Sequence, residues 1–306
     1  MDRLEAMSML IAVTEHGSLS AASRTLQVPL ATLSRKISDL ESLLGTRLLI
    51  RTTRKLTLTD AGVSYIEAAR RILEQVTEAE RQASGEFVAP KGELVITAPV
   101  MFGRLHVLPL VVDFLEQFPE ISVRLLLSDR NVDLVNDHVD MAVRIGRLPD
   151  SSMIATSVGS MRTVTCASPG LIARYGQVNS PEDLASLPCI TLEAPMPTYC
   201  WRYRHPQNNQ PLEIAIQSRL TVTTTEVAVQ AAIRGVGVAR LLHYQVVDAV
   251  GRGELNMLLA QYEPEIVPVH LIHASRGQMP LKMRRFLDFA APQLREQLRR
   301  IVGRAD

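Results

Sequence analysis

Apolar residues recur every three or four positions at the front of the chain, which is the period of an amphipathic helix. A first helix over residues 4–16 is predicted by the stripe of Leu4, Met7, Leu10, Ile11 and Thr14. Gly17 ends this helix, and either Ser18 or Ser20 provides an N-cap for a short second helix that runs to Leu26. The pattern therefore predicts two helices joined by a tight connection.

A third helix is predicted from Pro29, which suits a first helical turn, to about Leu44, just before Gly45. Its apolar stripe consists of Leu33, Ile37, Leu40 and Leu44, which we expect to pack on the first two helices. Its other face carries Ala31, Ser34, Arg35 and Ser38, flanked by Thr32 and Asp39. We expect this polar face to be presented to a partner or to solvent.

Residues 48–58 predict two short strands around the polar tip at residues 51–54. Thr59 then caps a long helix over residues 60–83. Its apolar stripe is Val63, Ile66, Ala69, Leu73, Val76 and Ala79. Such a stripe needs a surface to pack against, and a second copy of the same helix is an economical candidate. The Gly- and Pro-containing stretch over residues 84–92 predicts a linker.

The pattern changes after this linker to short apolar runs that alternate with helical segments. Strands are predicted at residues 94–97, 121–127, 141–145, 162–167, 220–223, 237–240 and 267–273. Helices are predicted at residues 105–118, 132–137, 226–234 and 280–299. Alternating strands and helices favour an α/β sheet with parallel neighbours.

Charge is distributed unevenly along the chain. Residues 20–60 hold seven Lys and Arg against three Asp and Glu, a net charge of +4, while the whole chain carries only +1. The remainder is therefore slightly acidic. A basic block of this kind suggests a polyanionic partner, although a solvated basic face accounts for the charge equally well.

Length and composition restrict the class of protein. With 306 residues the chain has room for about two domains. No stretch approaches the ~20 apolar residues of a membrane helix, and the N-terminus lacks a basic head followed by an apolar run, so we expect a cytoplasmic protein. Cys166, Cys189 and Cys200 fit no CxxC spacing, so we expect reduced thiols, no metal site and no cofactor.

The third helix and the tip that follows it have the residue types of a DNA-reading unit. Arg35 can donate two hydrogen bonds to guanine, and Ala31 or the methyl group of Thr32 can contact a thymine methyl. Ser34 and Lys36 are better placed for phosphates, which orient the protein without specifying sequence. The tip would lie against the backbone or the minor groove as a wing. A plain amphipathic helix is the alternative for the third helix taken alone.

Several motifs together carry a family resemblance. The chain closely resembles LysR-type transcriptional regulators over residues 4–75, without gaps, through the motifs at residues 17–22, 30–37, 40–41, 44–45, 51–54 and 58–62. Residues 92–99, 140–146 and 235–239 look similar to the body of the same family. Leu30 departs from the pattern, because family members commonly place Gln or Ser there, and a base contact at this position is in doubt.

The resemblance implies the domain organisation. An α+β winged helix-turn-helix would occupy residues 1–59, and a linker helix and hinge residues 60–91. The linker helix would pair antiparallel with its twin in a dimer or tetramer. An α/β effector domain like a two-lobed periplasmic binding protein would follow over residues 92–306. Its lobe I would hold residues 92–160 and 267–306, and its lobe II residues 161–266.

The resemblance also implies the partners and the sites. A dyad-symmetric DNA operator would contact Ser20, Leu30, Ala31, Thr32, Ser34, Arg35, Lys36, Arg51, Thr52, Thr53 and Arg54. A small-molecule effector would contact Thr97, Pro99, Val100, Met101, Arg144, Gly146, Thr163 and Thr223. Backbone N–H groups at the helix start after residue 99 would favour an anionic group of that effector. RNA polymerase is a candidate further partner.

Two other classes of protein compete with a regulator. A solute-binding protein would share the two lobes, but the absence of a leader and the extra front segment of about 90 residues oppose it. A cytosolic α/β enzyme would need a catalytic set, and no GxSxG, HExxH or P-loop motif occurs. A nucleophile formed by Cys189 or Cys200 with His205 is the one catalytic hypothesis left open, beside a redox-sensing thiol.

Overall fold

The computed structural model describes residues 2–51, 56–84, 89–130, 132–148, 153–193, 200–274 and 279–303. The chain divides into two compact units, Met1–Val88 and Ala89–Asp306. Within the described ranges, every helix is too short or too polar to cross a lipid bilayer.

The described residues of the first unit form four helices and a two-stranded antiparallel sheet. Its elements are α1 (Arg3–Glu15), α2 (Leu19–Leu26), α3 (Leu30–Leu44), β1 (Leu49–Arg51), β2 (Leu56–Leu58) and α4 (Asp60–Ser84). Ser18, rather than Ser20, caps α2, because its hydroxyl accepts the Ala21 N–H. Pro29 lies at the N-cap of α3, one position before the predicted first turn, and Gly45 ends α3 in the left-handed conformation, as expected.

A single apolar core holds the first unit together. It is formed by Ala6, Met9, Leu10, Val13, Ala22, Leu33, Ile37, Leu40, Leu48, Leu49 and Ile66. These residues come from all four helices and from the segment that leads into and begins β1, with α4 contributing Ile66. Burying one Leu or Ile side chain contributes about 1.5–3 kcal/mol to the free energy of unfolding. Packing in this shared core is therefore the main interaction that orients α3.

The second unit contains two five-stranded mixed sheets. The strands of the first sheet are β3 (Gly92–Ala98), β4 (Ile121–Leu127), β5 (Met141–Ile145), β6 (Ile154–Met161) and β14 (Val267–His273). Their order is β4-β3-β5-β14-β6, and β14 runs antiparallel to both of its neighbours. The helices beside it are α5 (Val100–Phe102), a π-helical turn (Gly103–Val107), α6 (Leu108–Gln117) and α10 (Leu281–Gly303).

The second sheet lies between two apolar clusters. Its strands are β7 (Thr163–Ala167), β8 (Pro188–Leu192), β11 (Gln217–Val222), β12 (Val238–Leu242) and β13 (Asn256–Leu258), in the order β11-β8-β12-β7-β13. The helices are α7 (Pro169–Tyr175), α8 (Thr225–Ile233) and α9 (His243–Gly251), with 3-10 turns at Pro181–Ser186 and Ala260–Tyr262. A hairpin of β9 (Cys200–Arg204) and β10 (Pro211–Ala215) contributes Trp201 to one of the clusters.

Several predicted elements differ from the structure. The helix predicted at residues 132–137 is a hydrogen-bonded turn, because the Asp133 carboxylate accepts the N–H groups of Val135 and Asn136. The expected parallel sheet is mixed, since β14 and β7 run antiparallel to their neighbours. The pattern also missed seven elements: β6, α7, β8, β9, β10, α9 and β13.

Candidate functional site

The first candidate site is the exposed face of α3. Leu33, Ile37 and Leu40 are fully buried, as predicted, but Leu44 is 39% exposed. The prediction that Leu44 packs inward is wrong, because Leu44 is the last residue of the helix and the core ends at Leu40. Leu30, Ala31, Arg35 and Ser38 are exposed, and Thr32 and Ser34 are half-buried.

The turn between α2 and α3 is held by local hydrogen bonds. Gln27 adopts the left-handed conformation, with φ of 54°. The Val28 N–H donates to the Ser23 carbonyl at 3.1 Å, and the Ser23 hydroxyl donates to the Val28 carbonyl at 2.6 Å. These reciprocal bonds fix the exit of α2, so the start of α3 is presented by a defined turn.

The cations of α3 have different surroundings. The Lys36 ammonium forms an ion pair with the Glu5 carboxylate of α1, so in this structure it serves helix packing rather than facing outward. Arg35 is exposed on the same helix, and Ser20 is exposed on α2. The side chain of Arg51, together with Thr52, Thr53 and Arg54, lies outside the described residues.

Glu41 ties the sheet of the first unit to α3, a role that the sequence pattern did not indicate. Its Oε1 accepts the backbone N–H groups of Leu48 and Leu49, at 2.8 and 3.0 Å. Both leucines are buried, so their amides need a protein acceptor. Glu41 therefore fixes where β1 begins relative to α3.

Replacing Glu41 with alanine should leave these two amides without an acceptor. We expect their hydrogen exchange to accelerate about 10-fold or more, which corresponds to roughly 1.4 kcal/mol, because an unsatisfied buried donor costs about 1–3 kcal/mol. Exchange followed by NMR on the full chain measures this. Glu41→Gln keeps a side-chain carbonyl and should recover part of the protection, whereas equal exchange in Glu41→Ala and in the exposed Ser42→Ala would contradict the role.

The second candidate site is the carboxyl end of β3 in the first sheet of the second unit. Thr97 is fully buried, and its hydroxyl donates to the Leu126 carbonyl at 2.9 Å. Its side chain is therefore hydrogen-bonded within the sheet. Pro99 and Val100 are half-buried at the start of α5, and Met101 is nearly buried. The Val100 N–H donates to the Asp129 carboxylate at 2.9 Å.

Asp129 changes the expectation of an anion at this helix start. We predicted that backbone N–H groups here would bind an anionic group of a ligand. In the structure the protein's own carboxylate accepts one of them, from a position 29 residues further along the chain. The anion that this helix start favours is therefore Asp129, and the sequence pattern missed it because the two residues are distant in sequence.

The remaining predicted effector residues lie on both sheets. Arg144 donates to the Val132 carbonyl at 2.7 Å, and burial lowers its pKa. Gly146 has φ of 124° and its N–H donates to the Pro268 carbonyl. Thr163 begins β7, half-buried, and Thr223 is exposed just after β11. The structure thus places them at strand ends, with the Arg144 guanidinium bonded to a backbone carbonyl rather than to a carboxylate.

Direct contacts join the two sheet systems of the second unit. The Thr225 hydroxyl lies 4.0 Å from the Met101 sulfur, and the Arg104 guanidinium forms an ion pair with Glu226 at 3.1 Å. The start of α5 in the first system therefore faces the start of α8 in the second. The effector cleft that the resemblance predicts between the two lobes stays a prediction.

Burial argues against two of the three cysteines as reactive thiols. Cys166 and Cys189 are buried, and burial raises the pKa of each thiol to about 12, which disfavours the reactive thiolate. The Cys189 thiol donates to the Leu187 carbonyl. Cys200 is exposed at the start of β9.

Comparisons with known proteins agree over both units. A family model described as a bacterial regulatory helix-turn-helix protein of the lysR family matches residues 4–63, and the LysR substrate binding domain matches residues 89–295. An HTH-type transcriptional repressor of Pseudomonas aeruginosa is 32% identical over 295 residues, 94% of this chain and 91% of the relative. The transcriptional activator AaeR of Escherichia coli is 31% identical over 283 residues, 92% of this chain and 91% of the relative.

Solved structures show the same likeness. CrgA, a LysR-type transcriptional regulator from Neisseria meningitidis, matches with a TM-score of 0.61 and 30% identity, over 95% of this chain and 98% of that one. The full-length Vibrio cholerae virulence activator AphB matches with a TM-score of 0.60 and 25% identity, over 94% and 98% of the two chains. Both repressors and activators thus occur among similar proteins.

Proposed function

Because the chain belongs to the LysR family of bacterial transcriptional regulators, we propose that the exposed N-terminal half of α3 reads base edges in the major groove of an operator. Members of this family are regulators rather than enzymes, with a DNA-binding helix-turn-helix and an effector-binding domain. The observation that carries the proposal is the two-sided burial of α3: Leu33, Ile37 and Leu40 are fully buried, while Ala31 and Arg35 face outward. A recognition helix needs this arrangement.

We assign roles to the outward residues by their chemistry. Arg35 would form two parallel hydrogen bonds with a guanine, and Ala31 or Thr32 would contact a thymine methyl. Ser20 and Ser34 would contact phosphates or neighbouring bases, and the exposed Leu30 would offer only apolar contact. Lys36 could reach a phosphate only by leaving Glu5. The tip residues Arg51, Thr52, Thr53 and Arg54 remain sequence-based proposals for the wing.

Self-association through α4 would place two recognition helices on one operator. Val63 and Ile72 are 46% and 39% exposed on this helix, while Ile66 and Ala69 are buried in the core of the first unit. The exposed apolar positions are available for a second copy of α4, in a dimer or in a tetramer. A dimer would read two half-sites in successive major grooves, separated by whole helical turns. Contact with RNA polymerase stays a prediction.

The effector would bind in the second unit. We propose lobe I as residues 92–160 and 267–306 and lobe II as residues 161–266, which is supported by the grouping of their strands into separate sheets. Pro99, Val100, Met101, Thr163 and Thr223 would line the cleft between them. Thr97, Arg144 and Gly146 would support its walls, since their polar groups bond to the protein itself.

Arg35→Ala tests the recognition role. We expect it to weaken binding to the operator by about 1–3 kcal/mol and to relax the preference at one base pair, because a bidentate base contact is lost. The measurement is a gel-shift titration on an operator selected from genomic fragments, on single-base variants of it, and at two salt concentrations. The wild type should bind tightly and weaken steeply with salt through counterion release.

Arg35→Lys is the matched control. It keeps the positive charge but loses the planar fork, so we expect it to lose base preference while it retains non-specific affinity. Uniform weakening of Arg35→Ala on every sequence would make Arg35 a phosphate contact instead. Failure of the wild type to select any duplex would refute the DNA-binding proposal as a whole.

A further inference from the structure

One face of the second sheet carries a row of polar side chains among apolar ones. Thr221 pairs with Thr191 between β11 and β8, and Arg240 pairs with Thr165 between β12 and β7. The register Ala239–Ile190 makes Arg240 and Thr191 the next neighbours along β12 and β8. The row therefore crosses four adjacent strands on the face that the β9–β10 hairpin covers.

Arg240 is the centre of this row. Its guanidinium carbon lies 5.7 Å from the centre of the Tyr203 ring, and its Nε is buried without a hydrogen-bond partner among the described residues. The side chain as a whole is only partly buried, so solvent still reaches part of it. Burial is the main cause that lowers the pKa of this guanidinium, and the neighbouring Arg202 lowers it further.

Among the described residues, no carboxylate is a counterion for Arg240. Within the described ranges no carboxylate forms an ion pair with Arg240, and residues 194–199, which follow β8, contain no Asp or Glu. The charged neighbour Arg202 is itself a cation and pairs with Glu213 at 2.9 Å. Burial raises the pKa of Tyr203 to about 12, so its hydroxyl stays neutral and bonds to Thr165 at 2.8 Å. The local charge is therefore positive.

Hydroxyl groups flank this cation on the side of β8. The Thr191 hydroxyl lies 2.7 Å from that of Ser218 and 3.0 Å from that of Thr221. A guanidinium beside a hydroxyl cluster provides the charge and the donors that bind a carboxylate. An aliphatic or neutral ligand would leave the Arg240 charge uncompensated.

The row lies near the crossing between the two sheet systems. Leu242, two residues after Arg240, pairs with Thr163 at the first position of β7, and the His243 N–H donates to the Arg162 carbonyl. Thr191 and Arg240 lie toward the carboxyl ends of β8 and β12, and ligands of α/β sheets bind at the carboxyl ends of strands. In the first sheet the corresponding helix start already holds Asp129, so an incoming anion is favoured on the second sheet.

We propose that the effector is a carboxylic acid and that Arg240 binds its carboxylate, with the Thr191 hydroxyl as an orienting donor and Tyr203 as the wall behind the guanidinium. This inference rests on the proposed effector function of the second unit. It adds to that function the chemical class of the ligand and the residue that selects it.

The test uses sodium acetate, the smallest stable carboxylate probe that carries a methyl group, on the full-length chain. Trp201, the only tryptophan, lies in the same buried cluster as Tyr203, so its fluorescence reports binding locally. We expect acetate to change this fluorescence with saturation and to raise the Tm by roughly 2–4 °C. Acetamide, a neutral analogue of the same shape, and sodium chloride at equal concentration should do neither.

Variants assign the response to Arg240. Arg240→Met should abolish both effects of acetate, whereas Arg234→Met, which removes an exposed arginine at the end of α8, should keep them. Equal responses in all three proteins, or an equal response to acetamide or chloride, would overturn the proposal. If Arg240→Met does not fold, Arg240→Lys serves instead: we expect a several-fold higher half-saturating concentration, and an unchanged one would overturn the proposal.

DNA binding without acetate separates this inference from the proposed function. Arg240→Met should bind the operator as the wild type does, because Arg240 belongs to the second unit. Loss of the acetate response with intact DNA binding supports the assignment. The wild type could also respond to acetate but bind no DNA. That result would refute the recognition role of α3, while the carboxylate site at Arg240 would remain supported.

Discussion

Gly62→Ala should destabilise the first unit and weaken operator binding, because a Cβ at this position would overlap the carbonyl oxygen of Leu48. The strand segment cannot move away, since the Leu48 carbonyl also accepts the Thr59 N–H at 3.0 Å and the Thr59 hydroxyl donates to the Arg47 carbonyl at 2.7 Å. We expect the free energy of unfolding of the first unit to fall by about 3 kcal/mol, at the upper end of overpacking costs. A thermal melt followed by circular dichroism, with a gel-shift on the same samples, measures this.

Ala61→Ser is the matched control for this prediction. It also adds one heavy atom to the first turn of α4, but at an exposed position. We expect its melt and its DNA affinity to stay within 0.5 kcal/mol of the wild type, as is usual for exposed surface sites. If Gly62→Ala melted and bound like Ala61→Ser, the close approach of α4 to β1 would not matter for the fold.

Local signals explain why the helices of the first unit could be predicted. Ser18 and Gly45 act within a few residues of their own positions, through a capping hydrogen bond and a left-handed backbone. Leu44 fits the same apolar stripe as Leu40, yet it is exposed because no other element covers the last turn. Periodicity predicts which residues share a face, but it does not predict how far the neighbouring elements extend.

The second unit was harder to predict for two reasons: strands such as β7 and β12 pair across long sequence separations, and other strands lie in stretches of mixed polarity. The β9–β10 hairpin alternates exposed and buried residues, but it lies in a stretch of mixed polarity that gave no clear strand signal. The candidate sites share this difficulty. Asp129 caps a helix start 29 residues away, and Glu41 accepts amides seven and eight residues away. Sequence spacing alone does not indicate either partner.

Acid should destabilise the second unit, because three of its histidines have lowered pKa values. Burial is the main cause for His106, His243 and His273, and the Arg162 guanidinium lowers the pKa of His243 further. A histidine whose folded pKa is lowered binds fewer protons when folded than when unfolded. Its stabilising contribution is therefore complete above the unfolded pKa of about 6.5 and declines as the pH falls below that value.

His273 provides the sharpest test of this pH dependence. It is fully buried, and neither ring nitrogen has a hydrogen-bond partner among the described residues. The free energy of unfolding should therefore fall as the pH decreases below about 6.5, and each histidine can contribute at most about 1.4 kcal/mol per pH unit to that slope. His273→Leu should make the slope measurably shallower. Urea unfolding at a series of pH values between 7 and 5 gives the slope directly.

Leu271→Ala separates proton uptake from loss of packing in the same strand. Leu271 is also fully buried on β14, but it does not titrate. This variant should lower the free energy of unfolding by about 2–5 kcal/mol at every pH and leave the slope unchanged. If His273→Leu behaved in the same way, with an unchanged slope, His273 would already be protonated or would gain a partner in solution. The acid sensitivity of the second unit would then have to come from His106 and His243.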